Sequence, residues 1–276
     1  MEHFRNAHQG KPNFHCEACI EAKLRVKPFP KQTNRVINRV GQELHHDYVE
    51  LQSRDPWGNT GVQVYSIREP GFIFIDFITT KAHIGRSVVF VKRSVETHCN
   101  KSIEILQGDS SRENGQKLIV EECKRTGTHT QFSQPGDSNK AQNGYIESLI
   151  GELKRSKRAV MWDAGMSDHF KAAESLAYRF CALARNLRQV KTSNGMVTSR
   201  AEIYQRRPLS DIRKLVFTFG SLAQCLHNYD GRSKKKDRTF FGVYLGVHPN
   251  IKAAIVLNVE TGKFTTSRTF KINETI

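Results

Sequence analysis

The chain has 276 residues, 38% hydrophobic and 25% charged, a balance that suits one or two globular domains and excludes a disordered or membrane-embedded chain. Its 43 Lys and Arg against 27 Asp and Glu leave a formal charge of +16, which points to a polyanionic partner, nucleic acid first, with a merely basic surface as the alternative. No apolar run approaches a membrane span and residues 1–5 lack the apolar stretch of a signal peptide, so no membrane association and an intracellular protein are expected.

In chain order, residues 1–40 come first, with Cys16 and Cys19 spaced as Cys-x-x-Cys and His3, His8 and His15 nearby. Two cysteines at that spacing can share a tetrahedral zinc, but a closed site needs four ligands; the alternative is a turn with two free thiols. Cys99, Cys123, Cys181 and Cys225 lie singly in apolar or helical surroundings and are expected as buried thiols rather than disulfides. A basic, aperiodic linker over 23–39 contains the breaker Pro28-Phe29-Pro30.

Strands are predicted over 43–51, 62–67 and 72–78, the last apolar on both faces as a central strand would be. Asp76, inside that run, is expected to be a hydrogen-bonded structural carboxylate. A strand at 103–106 then delivers Asp109. A helix over 116–125 stops at Gly127, and a brief strand covers 128–132 before a loop at 133–139.

A helix over about 141–161 has Ile146, Leu149, Ile150 and Leu153 on an apolar face. Glu147, Gly151, Lys154, Arg155 and Arg158 fall on another, because offsets of four, seven, eight and eleven return to one side of a helix. A carboxylate at one end of a basic stripe can hold a cation beside backbone phosphates; a solvated helix face is the alternative. A further helix is predicted over 167–186 with Ser167 as N-cap, and 187–215 reads as basic connection. Short strands follow over 240–245, 253–259 and 263–270, and the loop holding Lys234, Lys235 and Lys236 is a positive patch suited to phosphate contact.

Asp47, Asp109 and Glu147 stand 62 and 38 positions apart on three separate segments. Three carboxylates are what hard divalent cations need while keeping open positions for phosphate. Their contexts are His46-Asp47, Gly108-Asp109 and Gln142-Asn143-Gly144 followed by Glu147. With the Cys16–Pro30 stretch, Phe74-Ile75-Asp76, Phe219-Gly220 and Val243-Tyr244-Leu245-Gly246, the chain resembles the integrase region of the Pol polyprotein of copia-type (Pseudoviridae) retrotransposons, in the retroviral integrase superfamily.

The resemblance implies an α/β protein with a ribonuclease-H-like integrase catalytic core, a mixed sheet with flanking helices. The expected domains are a partial zinc-binding segment and linker at 1–40, the core at 41–165, a helical extension at 166–215 and a small SH3-like β-barrel at 216–276. It further implies a catalytic, magnesium- or manganese-binding triad of Asp47, Asp109 and Glu147, with zinc at Cys16 and Cys19. Because only seven residues separate His8 from Cys16, the zinc domain is expected to be truncated. The implied activity is metal-dependent DNA strand transfer between cDNA ends and target DNA by a homo-oligomer, in the nucleus of a eukaryotic host. Lys154, Arg155 and Arg158 are expected to touch the DNA backbone.

The span between Asp76 and Asp109 is shorter than the resemblance implies, so part of the third strand or of the helix around 88–98 is expected to be curtailed. Two further departures bear on activity. Where the family has Asn-Gly-Gly-Glu-Phe after the second Asp, this chain has Ser110-Ser111-Arg112-Glu113-Asn114, and Ser148-Leu149-Ile150-Gly151 replaces Arg-x-Asn-Arg after the Glu. A decayed or domesticated DNA-binding protein and a metal-dependent nuclease of the same fold therefore stay as alternatives. His45 and His46 are expected to fill space or bond locally at a strand end.

Overall fold

The structure, a computed structural model, describes residues 16–19, 41–109, 115–133, 144–166, 170–192, 195–226 and 239–274. The described residues within Arg25–Lys154 and Asn186–Pro208 form one compact unit. Those within Met1–Leu24, Arg155–Arg185 and Leu209–Ile276 form a second.

The first unit is built on a mixed five-stranded sheet: β1 (Glu43–Glu50), β2 (Gly61–Ile67), β3 (Phe72–Ile78), β4 (Ile105–Asp109) and β5 (His129–Ser133), in the order β3-β2-β1-β4-β5. β1, β2 and β3 pair antiparallel, while β4 lies parallel to both β1 and β5. Valine, isoleucine and aromatic residues favour the extended backbone here, and every residue of β2 is buried. Fully burying one such apolar side chain is worth about 1.5–3 kcal/mol.

β3 corrects one expectation. Its apolar sequence marks it as central, yet it is the sheet's edge, and β1 is the middle strand. The covering comes from later in the chain. Asn186 donates its Nδ2 to the Ile73 carbonyl at 2.8 Å and accepts the Ile73 N–H through Oδ1 at 2.9 Å, so one side chain satisfies both groups that an edge leaves open. Tyr204 stacks on Phe72 with ring centroids 4.5 Å apart and on His98 at 4.4 Å.

Helix α1 (Ile84–Cys99) is full length, where a curtailed segment was expected. Val88, Val91, Lys92, Val95 and Cys99 recur at three- and four-residue steps and make its buried face. Asn100, in the left-handed region at φ 50°, ends it. Helix α2 (Gly115–Thr126) ends at Gly127, whose φ of +70° meets the expected stop. Arg93 of α1 and Arg125 of α2 both clasp Glu122 with bonds of 2.8–3.1 Å.

Helix α3 (Gly144–Asp163) begins in the first unit and ends in the second. The second unit also holds α4 (Glu174–Leu187) up to Arg185, preceded by a 3-10 turn at Lys171–Ala173. Of the residues whose spacing predicts an inward face, Ala173, Ala177, Phe180 and Ala184 are buried and Phe170, ahead of the helix, is half-buried, while Ser167 lies outside the described residues. The connection read as irregular contains an antiparallel pair, β6 (Gln189–Lys191) with β7 (Val197–Ser199), and helix α5 (Arg200–Gln205). A capping box between Ser199 and Glu202 starts α5, a signal present in the sequence and passed over.

After the short α6 (Ser210–Arg213), five strands make an antiparallel sheet: β8 (Leu222–Leu226), β9 (Thr239–Val247), β10 (Ala254–Asn258), β11 (Phe264–Ser267) and β12 (Phe270–Asn273), in the order β11-β10-β9-β8-β12. The strand predicted over 263–270 is in fact two, because the chain leaves β10 at Ser267 and pairs with β8 from Phe270. No helix among the described residues is long and apolar enough to cross a membrane.

Candidate active site

The register of the two central strands sets the site. β1 and β4 run parallel with His45 opposite Gln107, two residues before Asp47 and Asp109 in their strands. Since strand residues alternate faces, positions 43, 45, 47, 107 and 109 share one face. Asp109 is the last residue of β4; its side chain lies outside the described residues. Asp47 is half-buried and accepts the Tyr48 N–H through Oδ1 at 2.8 Å.

The first turn of α3 packs on that same face. The Tyr145 ring lies 4.8 Å from the His45 ring, and its hydroxyl is 3.0 Å from Ser66 Oγ, Ser66 being the cross-strand neighbour of His45. Glu147, two residues further along the helix, is exposed in its first turn. Ile146, Leu149, Ile150 and Leu153 are buried, as their spacing predicted. On the stripe that includes Glu147, Lys154 and Arg158 are exposed and Arg155 is half-buried.

The opposite face carries α1. Tyr65 shares this face with His46, its cross-strand partner, and its hydroxyl lies 2.5 Å from Ser87 Oγ of α1. Ser87 in turn donates to Asp76 Oδ2, and Asp76 Oδ1 accepts the Phe77 N–H at 3.0 Å. Asp76 is thus the hydrogen-bonded structural carboxylate that was expected.

His46 lies in the middle of β1 rather than at a strand end. It is buried, its Nδ1 is 3.1 Å from the Gln63 amide, and burial pushes its pKa down to about 4. A neutral ring in van der Waals contact with the sheet is therefore its state across the physiological range. Burial also lowers the pKa of His45, opposed by Glu43, whose carboxylate is 3.3 Å from His45 Nε2.

No protein-family model and no curated protein matches the chain. Among solved structures, one of a simian T-cell lymphotropic virus intasome in complex with PP2A regulatory subunit B56 gamma is similar over 94% of this chain and 86% of its own, at 12% identity and a TM-score of 0.43.

The residues expected from the sequence as metal ligands, Asp47, Asp109 and Glu147, are all carboxylates, the chemistry magnesium and manganese prefer. Among the described residues, no three His, Cys, Asp or Glu side chains are gathered into a metal-binding group. Cys16 and Cys19 are buried with Ala18 and Ala159, not laid out as an exposed turn. Burial pushes the Cys16 thiol up; a hydrogen bond with the Cys19 backbone opposes this, while the Cys19 thiol and the Asp163 charge add to it. His3, His8 and His15 lie outside the described residues, as do Lys234, Lys235, Lys236 and the 110–114 loop.

Three residues escaped sequence reasoning: Tyr145 and Ser66 on the face of Asp47, and Gly108 on the opposite face. Gly108 lies against His46 so closely that an ideal Cβ would fall 2.4 Å from the ring. Tyr145 stands inside the Gln-Asn-Gly-Tyr-Ile-Glu run, but only the packing shows what its ring and hydroxyl touch.

Proposed function

We propose that this chain is a retrotransposon integrase of copia type, joining cDNA ends to target DNA through a ribonuclease-H-like core. The single observation that carries the reading is the parallel β1–β4 pairing, with His45 opposite Gln107 in the strands of Asp47 and Asp109, and with the first turn of α3, the turn that contains Glu147, packed on His45 and Ser66 through Tyr145. The mixed sheet flanked by helices supports the core assignment, and the five-stranded antiparallel sheet of the second unit supports an SH3-like module.

Asp47, Asp109 and Glu147 would hold the divalent cations. When bound, such cations supply the charge that activates an attacking hydroxyl and stabilises the leaving oxygen of an in-line displacement. The cDNA 3′-oxygen forms a bond to a target phosphorus while the bond from that phosphorus to its own 3′-oxygen breaks, so no covalent protein intermediate is needed. Lys154, Arg155 and Arg158 offer positive charge to the DNA backbone and position it without reading sequence. Cys16 and Cys19 would contribute to a zinc site, DNA ends would be paired by a homo-oligomer, and the reaction would take place in the nucleus of a eukaryotic host.

A second reading, a DNA-binding protein that has lost its chemistry, is favoured by the Ser110–Asn114 sequence, which lacks the glycines of the family's loop. A joining assay on labelled duplex DNA with magnesium or manganese separates these. Joined products that vanish in Glu147→Gln support the integrase; cleavage without joining indicates a nuclease; binding with neither reaction indicates the decayed form.

A further inference from the structure

Tyr145 stands at the start of a helix whose next buried residues, Ile146, Leu149, Ile150 and Leu153, are all aliphatic. It enters a cup made by two neighbouring strands. His45 of β1 supplies one wall, with ring centroids 4.8 Å from Tyr145 and planes tilted by 60°. Ser66 of β2 meets the hydroxyl at 3.0 Å, and the Arg68 guanidinium stands 5.7 Å from the ring centroid, within range of a cation–π attraction.

The cup is itself braced. Glu43 accepts from Arg68 Nη1 at 3.1 Å and lies 3.3 Å from His45 Nε2, so one carboxylate fixes two of the groups around the tyrosine. Gly71, at φ +79°, brings the chain back beneath the tyrosine, where a Cβ would sit 3.8 Å from its hydroxyl. A helix terminus is the part of a helix most prone to fray, because its first four N–H groups lack intrahelical partners. Here the fraying turn is held by its second residue, and the strand that holds it is the strand of Asp47.

We propose that Tyr145 is the positioning residue of this site: seated between His45, Ser66 and Arg68, it locks the turn that carries Glu147 to the strand that carries Asp47. This rests on the metal-binding role given to those carboxylates under Proposed function. Ligands brought from different elements bind a cation tightly only when groups behind them fix their orientation. Tyr145 supplies that fixing without touching the cation or the DNA. The hydroxyl bond to Ser66 sets the helix along the strand, and the tilted contact with the His45 ring sets its height above the sheet.

The test compares the full chain with Tyr145→Ala, Tyr145→Phe, Ser66→Ala and the Tyr145→Phe/Ser66→Ala double variant. Manganese binding is read by titration calorimetry, joining by its manganese midpoint, DNA affinity by anisotropy, and folding by metal-free thermal unfolding. Tyr145→Ala is expected to weaken manganese binding and raise the joining midpoint about tenfold or more while DNA affinity stays within twofold. Tyr145→Phe, which keeps the ring contact, is expected to lose less, and the double variant no more than either single one, since all three remove one bond.

If Tyr145→Ala binds manganese and joins DNA like the parent, the tyrosine is packing alone and the proposal is overturned while the integrase reading stands. If a lower melting temperature accompanies the loss in Tyr145→Ala, Tyr145→Phe decides: a shifted manganese midpoint at unchanged stability supports positioning, and an unshifted one overturns it. A parent chain that neither binds manganese nor joins DNA removes both the reading and the proposal.

Discussion

The His46 ring occupies the space that a side chain at Gly108 would need. A Cβ built there falls 2.4 Å from two atoms of the imidazole, which is buried and held by Gln63, so the ring cannot swing away. Gly108→Ala is expected to cost about 1–3 kcal/mol as an overpacked core. Displacing β4 also displaces Asp109, so on the proposed integrase reading joining is expected to fall with stability. Adding His46→Ser makes room, and the pair is expected to recover part of what Gly108→Ala loses in urea unfolding; strictly additive losses would contradict the contact.

Glu122 gives a pH dependence with a defined sign. Hydrogen bonds from Arg93, then from Arg125, hold its carboxyl well below its ordinary value of 4.5. A carboxylate favoured in the folded state contributes stability that is present in full above that ordinary value and is lost as pH falls through the folded value. Thermal unfolding across the acid range is expected to be steeper in the parent than in Glu122→Gln, with the two curves converging at the acid end. Parallel curves would show that the clasp contributes nothing; both arginine heads are largely exposed, so the effect is expected to be modest.

Gly220 combines a left-handed backbone, φ +87°, with a neighbour in the way. A Cβ there would lie 2.4 Å from the Ala164 Cβ. Gly220→Ala is expected to destabilise by about 1–3 kcal/mol or more, read as a lower denaturation midpoint, because strain and overlap act together. Gly165→Ala is the control, being left-handed at φ +65° with open space around it, and is expected to cost less. Equal losses would mean that the overlap with Ala164 is relieved at no cost.

Glu147→Gln is expected to leave DNA binding intact while abolishing joining. The basic stripe of α3 is unchanged by it, so affinity should still fall steeply as salt rises, as counterion release requires. Fluorescence anisotropy at two salt concentrations checks this. Affinity indifferent to salt would contradict the electrostatic account built on the +16 charge.

The elements of the first unit were legible because their residues carry local signals of their structure: the β-prone residues of 43–50, the apolar step of Ile146, Leu149, Ile150 and Leu153, and the stop at Gly127. What escaped reading was order and covering. β3 reads as central because both its faces are apolar, but the apolar partners are Tyr204 and the clamp is Asn186, residues distant in sequence whose spacing gives no sign of it. The division of 263–270 into two strands is likewise a matter of which neighbour each segment pairs with. In the site, Asp47, Asp109 and Glu147 stood out through motif context, whereas Tyr145 and Gly108 act by shape and contact.

The most direct test of the metal centre is manganese binding by titration calorimetry on the parent chain beside Asp47→Asn, Asp109→Asn and Glu147→Gln. The account predicts binding by the parent that each single substitution weakens about tenfold or more, with no loss of the folded state. Binding in the parent that all three substitutions leave unchanged would contradict it, because the cation would then be held elsewhere.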